Sequence, residues 1–242
     1  MPFGLINVGA TFQRSMDIGF RGLVNECVVV YLYYVTIYSM NRENHVKPLR
    51  HIFERCRKYG ISLNPQKNIF VVIEGKLLGF IVCKEGIQID PERTETIPNL
   101  PPPSSKKPMQ FFLRKINFVI RFISDFAEIV RPLQELVKRD KAYKWGKKQG
   151  VSFNKIKDVI VKALTLQNPD FHKDFTLYTF ALDTAFSTVL TQQTKDKHDT
   201  PITFMSSCLQ GEELKYHDID KRAYAVYKAV KHFRPYLLKS HT

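Results

Sequence analysis

Residues 27–39 read Cys27-Val28-Val29-Val30-Tyr31-Leu32-Tyr33-Tyr34-Val35-Thr36-Ile37-Tyr38-Ser39, and the fold class turns on them. β-Branched and aromatic side chains fill Cys27–Val30 and Val35–Ser39 around a short centre, so two strands joined by a tight hairpin are expected. Upstream, Phe12, Met16 and Phe20 recur on one face of a helix from roughly Gly9 to Phe20. Downstream, Val46, Leu49, Ile52 and Phe53 have helical spacing within Arg42–Tyr59, with basic residues on the solvated side. Ile69–Ile73 and Leu77–Val82 read as two further short strands around Glu74-Gly75. The resulting β-α-β-β order is α+β in character.

Beyond this block, Pro98 and Pro101-Pro102-Pro103-Ser104-Ser105 predict an extended, helix-breaking linker. Lys106–Leu136 follows as two helices broken near Ser124, and Val151–Leu164 as another, with Ser152 as its cap. Asn168-Pro169 marks a second boundary. The last segment alternates strands over Phe175–Phe180, Ala185–Gln192 and Ile202–Ser206, then closes with a long helix from about Ile219 to Leu238. Three domains are expected, 1–92, 93–169 and 170–242, with no internal repeat.

Composition narrows the function classes. The 242 residues are 44% apolar and 25% charged, with a mean hydropathy of −0.23, which suits a globular chain and excludes collagen-like or disordered classes. The 37 Lys and Arg against 23 Asp and Glu leave a net charge of +14 and a pI near 9.6, favouring polyanionic partners, nucleic acid first. Residues 93–169 hold 16 of those cations against 6 acids, so the surplus is concentrated in the middle of the chain. Its densest part, Lys138-Arg139, Lys141, Lys144 and Lys147-Lys148, reads either as a solvated face or as a nucleic-acid contact.

Other chemistries find little support. Cys27, Cys56, Cys83 and Cys208 lie far apart without a C-x-x-C pair, so neither a zinc site nor a disulfide framework is expected, and a reducing, intracellular compartment, cytoplasmic or nuclear, fits. His45, His51, His172, His198, His217, His232 and His241 show no zinc-ligand spacing. Ser206-Ser207-Cys208 lacks a nucleophile elbow and a histidine partner. The longest apolar run, Cys27–Tyr38, falls well short of the ~20 residues of a membrane helix, and no signal-peptide layout opens the chain, so no membrane partner is expected.

Several motifs, in order, resemble the polymerase region of gypsy-type LTR retrotransposons, a reverse transcriptase followed by ribonuclease H. Met1-Pro2-Phe3-Gly4-Leu5 and Ala10-Thr11-Phe12-Gln13 are similar to the palm motif near the incoming nucleotide and template. Tyr31-Leu32 and the next two residues resemble the hairpin that carries the polymerase aspartate pair. Leu78-Gly79-Phe80 is similar to the primer-grip hairpin. Phe112-Leu113 through Asn117-Phe118, with Arg121-Phe122-Ile123, is similar to the thumb and connection. Asp170-Phe171 with the following strand, and Tyr216–Tyr236, are similar to the start and the long helix of ribonuclease H. The resemblance implies an α+β fold: a partial reverse-transcriptase palm, a helical and basic thumb/connection, and an incomplete ribonuclease H-like domain. It also implies nucleic-acid contacts at Phe3, Gly4, Gln13, Leu78, Gly79, Phe80, Lys106, Lys107, Lys138, Arg139, Lys141 and Lys144, with a template-primer duplex or an RNA/DNA hybrid as partner, bound weakly and without sequence preference.

The same resemblance locates two centres that use Mg²⁺, and the residues at those positions depart from it. Divalent hard cations need several carboxylate oxygens. Where the hairpin aspartates are implied, this sequence has Tyr33 and Tyr34, neutral phenols at pH 7. The first ribonuclease H aspartate falls at Phe180, and the helix glutamate at Arg222, whose cation repels a metal. Asp183, Asp218 and Asp220 are out of position by strand and helix periodicity. The third palm carboxylate would precede Met1 and the remaining ribonuclease H aspartates would follow Thr242. The expected outcome is a chain without a bound cofactor, the ancestral one being Mg²⁺, and without either catalytic activity, unless another chain supplies the acids. A residual non-specific nucleic-acid-binding module is the alternative. Three structural expectations follow: backbone strain at Tyr33 and Tyr34, altered packing at Phe111 and Arg114, where the family has serine and glycine, and uncovered apolar faces in the last domain.

Overall fold

The computed structural model describes residues 7–24, 26–39, 44–70, 72–194 and 196–238, which fall into two compact units, Met1–Val71 and Val72–Thr242.

In the first unit, helix α1 (Val8–Gly19) leads to strands β1 (Val28–Tyr31) and β2 (Tyr34–Ile37), followed by α2 (Val46–Tyr59). The strands pair antiparallel from Val28↔Ile37 to Tyr31↔Tyr34, so the turn is the two residues Leu32-Tyr33. Met16, Phe20, Ile52 and Cys56 recur at a spacing of four on the facing sides of the two helices and meet Val28 in a small core. Gly60 ends α2 in the left-handed region, φ 64°, which lets Ile61 N–H reach the Cys56 carbonyl at 2.9 Å. The expected helix start near Arg42 lies outside the described residues. The stretch after α2 corrects the expected strand over 69–73: its described residues do not pair, and Ile69 and Ile73 are 80% and 81% exposed. An apolar run makes a strand only when a neighbouring strand satisfies its backbone, and here none does.

The second unit opens with a three-stranded antiparallel sheet, β3 (Gly75–Leu77), β4 (Phe80–Cys83) and β5 (Gly86–Ile89). The single strand expected over Leu77–Val82 is thus broken by a turn at Leu78-Gly79, whose residues both have positive φ, 54° and 83°. After the short helix α3 (Pro91–Thr94), capped by Asp90, come α4 (Lys106–Ile116), a 3-10 segment (Asn117–Phe122), α5 (Phe126–Leu136) and α6 (Lys147–Val161). The break between α4 and α5 near Ser124 is as expected. Ser152, however, is buried inside α6, whose N-terminal cap is Gly146, where the Gln149 side chain accepts the Gly146 N–H at 3.2 Å. The core of this unit joins Met109, Phe112 and Ile116 of α4 to Val130 and Leu133 of α5 and Phe153 and Ile156 of α6.

The proline segment is docked against this core. Pro103 and Ile97 are buried, Lys157 Nζ donates to the carbonyls of Pro98 and Leu100 at 2.8 and 2.5 Å, and the Tyr143 hydroxyl donates to that of Pro103. Prolines give no N–H to a ladder, so their carbonyls are available to side-chain donors. Phe111 and Arg114 both face solvent on α4, so neither disturbs the core as expected.

The remainder is an antiparallel meander of β6 (Thr176–Ala181), β7 (Ala185–Gln193) and β8 (Asp199–Cys208), then α7 (Asp218–Leu237). Ala225, Ala229 and Phe233 of α7 cover the face that carries Phe186 and Leu190. On the opposite face Ser187 and Ser206 accept the N–H groups of Asp125 and Ala127 at the start of α5, at 3.3 and 2.9 Å. Uncovered apolar side chains remain as expected, Ile219 and Leu182 among them. All four cysteines carry free thiols, and no helix among the described residues is long and apolar enough to cross a membrane.

Candidate functional sites

The hairpin between β1 and β2 is fixed by α1. Gln13 Oε1 accepts the Leu32 N–H at 2.8 Å, and its Nε2 donates to Val30 O at 3.3 Å and Asp17 Oδ1 at 3.1 Å. The Phe12 ring lies 4.9 Å from that of Tyr33. The strain expected at the tyrosines falls instead on Leu32, φ 50°, because the first residue of this two-residue turn takes the left-handed conformation while Tyr34 is already in β2. Tyr33 and Tyr34 are 58% and 69% exposed. Gln13, expected at a nucleic-acid contact, is engaged in holding the turn, and Phe3 and Gly4 lie outside the described residues.

The Leu78-Gly79-Phe80 hairpin has a different setting. A side chain at Gly79 would overlap the guanidinium of Arg93, which lies 5.2 Å over the Phe118 ring. Phe80 turns inward onto Phe122, centroids 5.5 Å apart, with Arg121 over it at 6.0 Å. Leu78 alone of the three projects outward, close to half exposed.

Among the basic candidates, Lys106 donates to the carbonyls of Lys138 and Arg139 at 2.8 and 3.3 Å, beyond the C-terminus of α5, where a cation is favoured. Lys141 is 3.9 Å from Glu135. Lys107, Lys138, Arg139 and Lys144 are exposed. Lys157, which the sequence did not single out, has its pKa lowered by burial, and it holds the proline segment.

At the second centre, Phe180 pairs with Ser187 and is 65% exposed. Leu177 and Ala181 pack towards α7, so alternation sends Tyr178 and Phe180 to the opposite face of the sheet. Arg222 is exposed near the start of α7. Asp199 at the start of β8 accepts the Tyr178 hydroxyl, and this contact raises the tyrosine pKa. Among the described residues no three His, Cys, Asp or Glu side chains converge as a metal site. Phenols, a benzyl group and a guanidinium do not fit Mg²⁺, which demands anionic oxygen.

Sequence reading also passed over Tyr216, Tyr224, Tyr227, Lys228 and Lys231. Tyr224 is 5.9 Å from Tyr216 and 6.3 Å from Tyr227, with Lys228 5.0 Å over Tyr224 and Lys231 6.0 Å over Tyr227. The Tyr224 hydroxyl donates to Glu213, which holds that carboxyl below its usual range. The spacing 224, 227, 228 and 231 is the signal that could have found this cluster.

Residues 1–82 match the family described as reverse transcriptase (RNA-dependent DNA polymerase), and residues 145–242 match the RNase H-like domain found in reverse transcriptase. The chain is 34% identical over 239 residues to the retrovirus-related Pol polyprotein from transposon 297 of Drosophila melanogaster, covering 98% of this chain and 22% of that protein. It is 30% identical over 241 residues to the Pol polyprotein from transposon 412 of the same organism, covering 100% and 19%. It therefore spans about a fifth of the length of these curated relatives. Among solved structures, a foamy viral protease-reverse transcriptase in complex with double-stranded DNA aligns with a TM-score of 0.83 at 22% identity, over 96% of this chain and 40% of that one. The same viral protein in complex with an RNA/DNA hybrid gives 0.82 at 22% identity, over 96% and 31%. Residues 1–82 thus match the reverse transcriptase family and residues 145–242 its RNase H-like domain family, as expected of a gypsy-type retrotransposon pol fragment.

Proposed function

We propose that this retrotransposon-derived reverse transcriptase/RNase H-like fragment is inactive in both ancestral centres and retains weak, sequence-tolerant affinity for nucleic-acid duplexes. The observation that supports the first half is the donor set: Tyr33, Tyr34, Phe180 and Arg222 occupy the positions where the resemblance implies anionic oxygens. Polymerases and nucleases of this kind lower their barriers by upwards of ~8 kcal/mol, much of it through bound metal, so losing those ligands removes the chemistry and leaves the scaffold. Support for the second half comes from the exposed Lys107, Lys138, Arg139 and Lys144 and from structural neighbours solved with double-stranded DNA and an RNA/DNA hybrid.

Primer extension and hybrid-cleavage assays with Mg²⁺ or Mn²⁺ test the first half, and incorporation or cleavage above background by the purified chain defeats it. For the second half, duplex affinity measured at several salt concentrations is expected to fall with a log–log slope of about −3 to −4 if the four exposed cations each meet a phosphate. Absence of duplex binding at about 50 mM salt ends that half.

A further inference from the structure

We infer that α7 carries a second nucleic-acid site, a tyrosine–lysine ridge that takes single-stranded nucleic acid by base stacking and is separate from the duplex-binding lysines of the middle segment. At 3.6 residues per turn Tyr224, Tyr227, Lys228, Lys231 and Arg234 share one face of the helix, turned away from the Ala225, Ala229 and Phe233 face that seals the sheet. On an ordinary surface helix this spacing would be apolar and covered. Here it is aromatic and basic and open to solvent, with Tyr227 58% exposed.

The row of rings is preorganised. Tyr224 is fixed between Phe186 of the sheet, 6.1 Å away, and its neighbours Tyr216 and Tyr227, and its hydroxyl is tied to Glu213. The outer rings, Tyr216 and Tyr227, keep free faces. Acids gather only at the N-terminal end: Glu213 bound to Tyr224, Glu212 paired with Lys215 at 3.1 Å, and Asp218 and Asp220 in the first turn of α7. From Lys221 to Leu238 the sequence holds no acid; Lys228 sits against the Tyr224 hydroxyl beside Glu213, and Lys231 and Arg234 are exposed to track a backbone. Alternating cations and aromatic faces accept any base, because every base has a π-face and every linkage a negative charge. Double-stranded nucleic acid keeps its bases stacked internally and offers the rings nothing, so the occupant favoured is a single strand.

The test is fluorescence anisotropy with a labelled oligothymidylate and, in parallel, a labelled duplex, on the whole chain. Tyr227→Ala is expected to weaken single-strand binding at least about fivefold while duplex binding stays unchanged. Tyr227→Phe, which keeps the ring, is expected to bind like the original. Lys228→Gln with Lys231→Gln is expected to lower the single-strand salt slope by about 1.4. Single-strand binding that is unaffected by Tyr227→Ala, in a chain that still unfolds cooperatively, overturns the inference. It is also overturned if the alanine variant instead abolishes self-association by light scattering with no effect on the oligonucleotide, which would make the ridge a protein contact. Lys138→Gln with Lys144→Gln separates the two sites: it is expected to weaken the duplex and spare the single strand, whereas duplex binding that stays unchanged speaks against the middle segment's role and leaves the ridge intact.

Discussion

Two hairpins of this chain, β1–β2 and β3–β4, start from the same difficulty and resolve it with different residues. Each turns through two residues, and each places a leucine in the left-handed region, Leu32 at φ 50° and Leu78 at φ 54°, where an L side chain costs roughly 1–2 kcal/mol. In the first, Gln13 reaches from α1 to accept the Leu32 N–H, and the remaining turn residue, Tyr33, lies open against Phe12. In the second, Gly79 takes the other left-handed position without penalty, Arg93 fills the space a side chain would need, and Phe80 is drawn into the core. A strained turn persists where surrounding contacts over-determine it, and those contacts can come from a single long polar side chain or from packing. The first solution leaves the aromatic Tyr33 exposed at the tip; the second packs Phe80, just past its turn, against the core.

That contrast can be broken at the second sheet first. Gly86, φ 143°, ends the tight β4–β5 connection, and a Cβ there would overlap the Leu166 carbonyl, the acceptor of Ile87 N–H at 2.7 Å. Gly86→Ala is therefore expected to cost about 3 kcal/mol, the largest effect of the series, read as a lowered midpoint in urea unfolding. Gly79→Ala meets only the end of the flexible Arg93 side chain, so its cost is mainly the φ strain, about 1–2 kcal/mol by the same measurement. An equal loss at both positions would show that close backbone approach is not what fixes this sheet.

At the first hairpin, Gln13→Ala removes the acceptor of the Leu32 N–H and is expected to cost about 1 kcal/mol, with faster amide exchange at Leu32 as the local mark. Unchanged exchange there would mean that strand pairing alone holds the turn. The smallest effect expected is a gain. Leu78→Asn keeps the left-handed turn with a residue that tolerates it and gives up only a half-exposed apolar side chain, raising stability by about 0.5 kcal/mol. A loss would show that the Leu78 side chain contributes more than its strain removes.

The sequence on its own determined the α+β class, the first hairpin, the helical middle with its break near Ser124, and the terminal meander and long helix. These rest on local signals, namely periodicity, β-branching, proline and residue chemistry, which act over a few residues and are written in the chain. Only tertiary structure decided that the described residues of 69–73 lack a strand partner, that the proline segment docks through Lys157 and Tyr143, that Gln13 and Phe80 serve the fold, and that Lys106 is occupied while Lys107 is exposed. Each depends on a partner distant along the chain, and the Lys157 carbonyl bonds span 59 and 57 residues. A spacing pattern gives the face a residue occupies; what meets that face is settled by the loops that close and by the burial that outweighs their entropy.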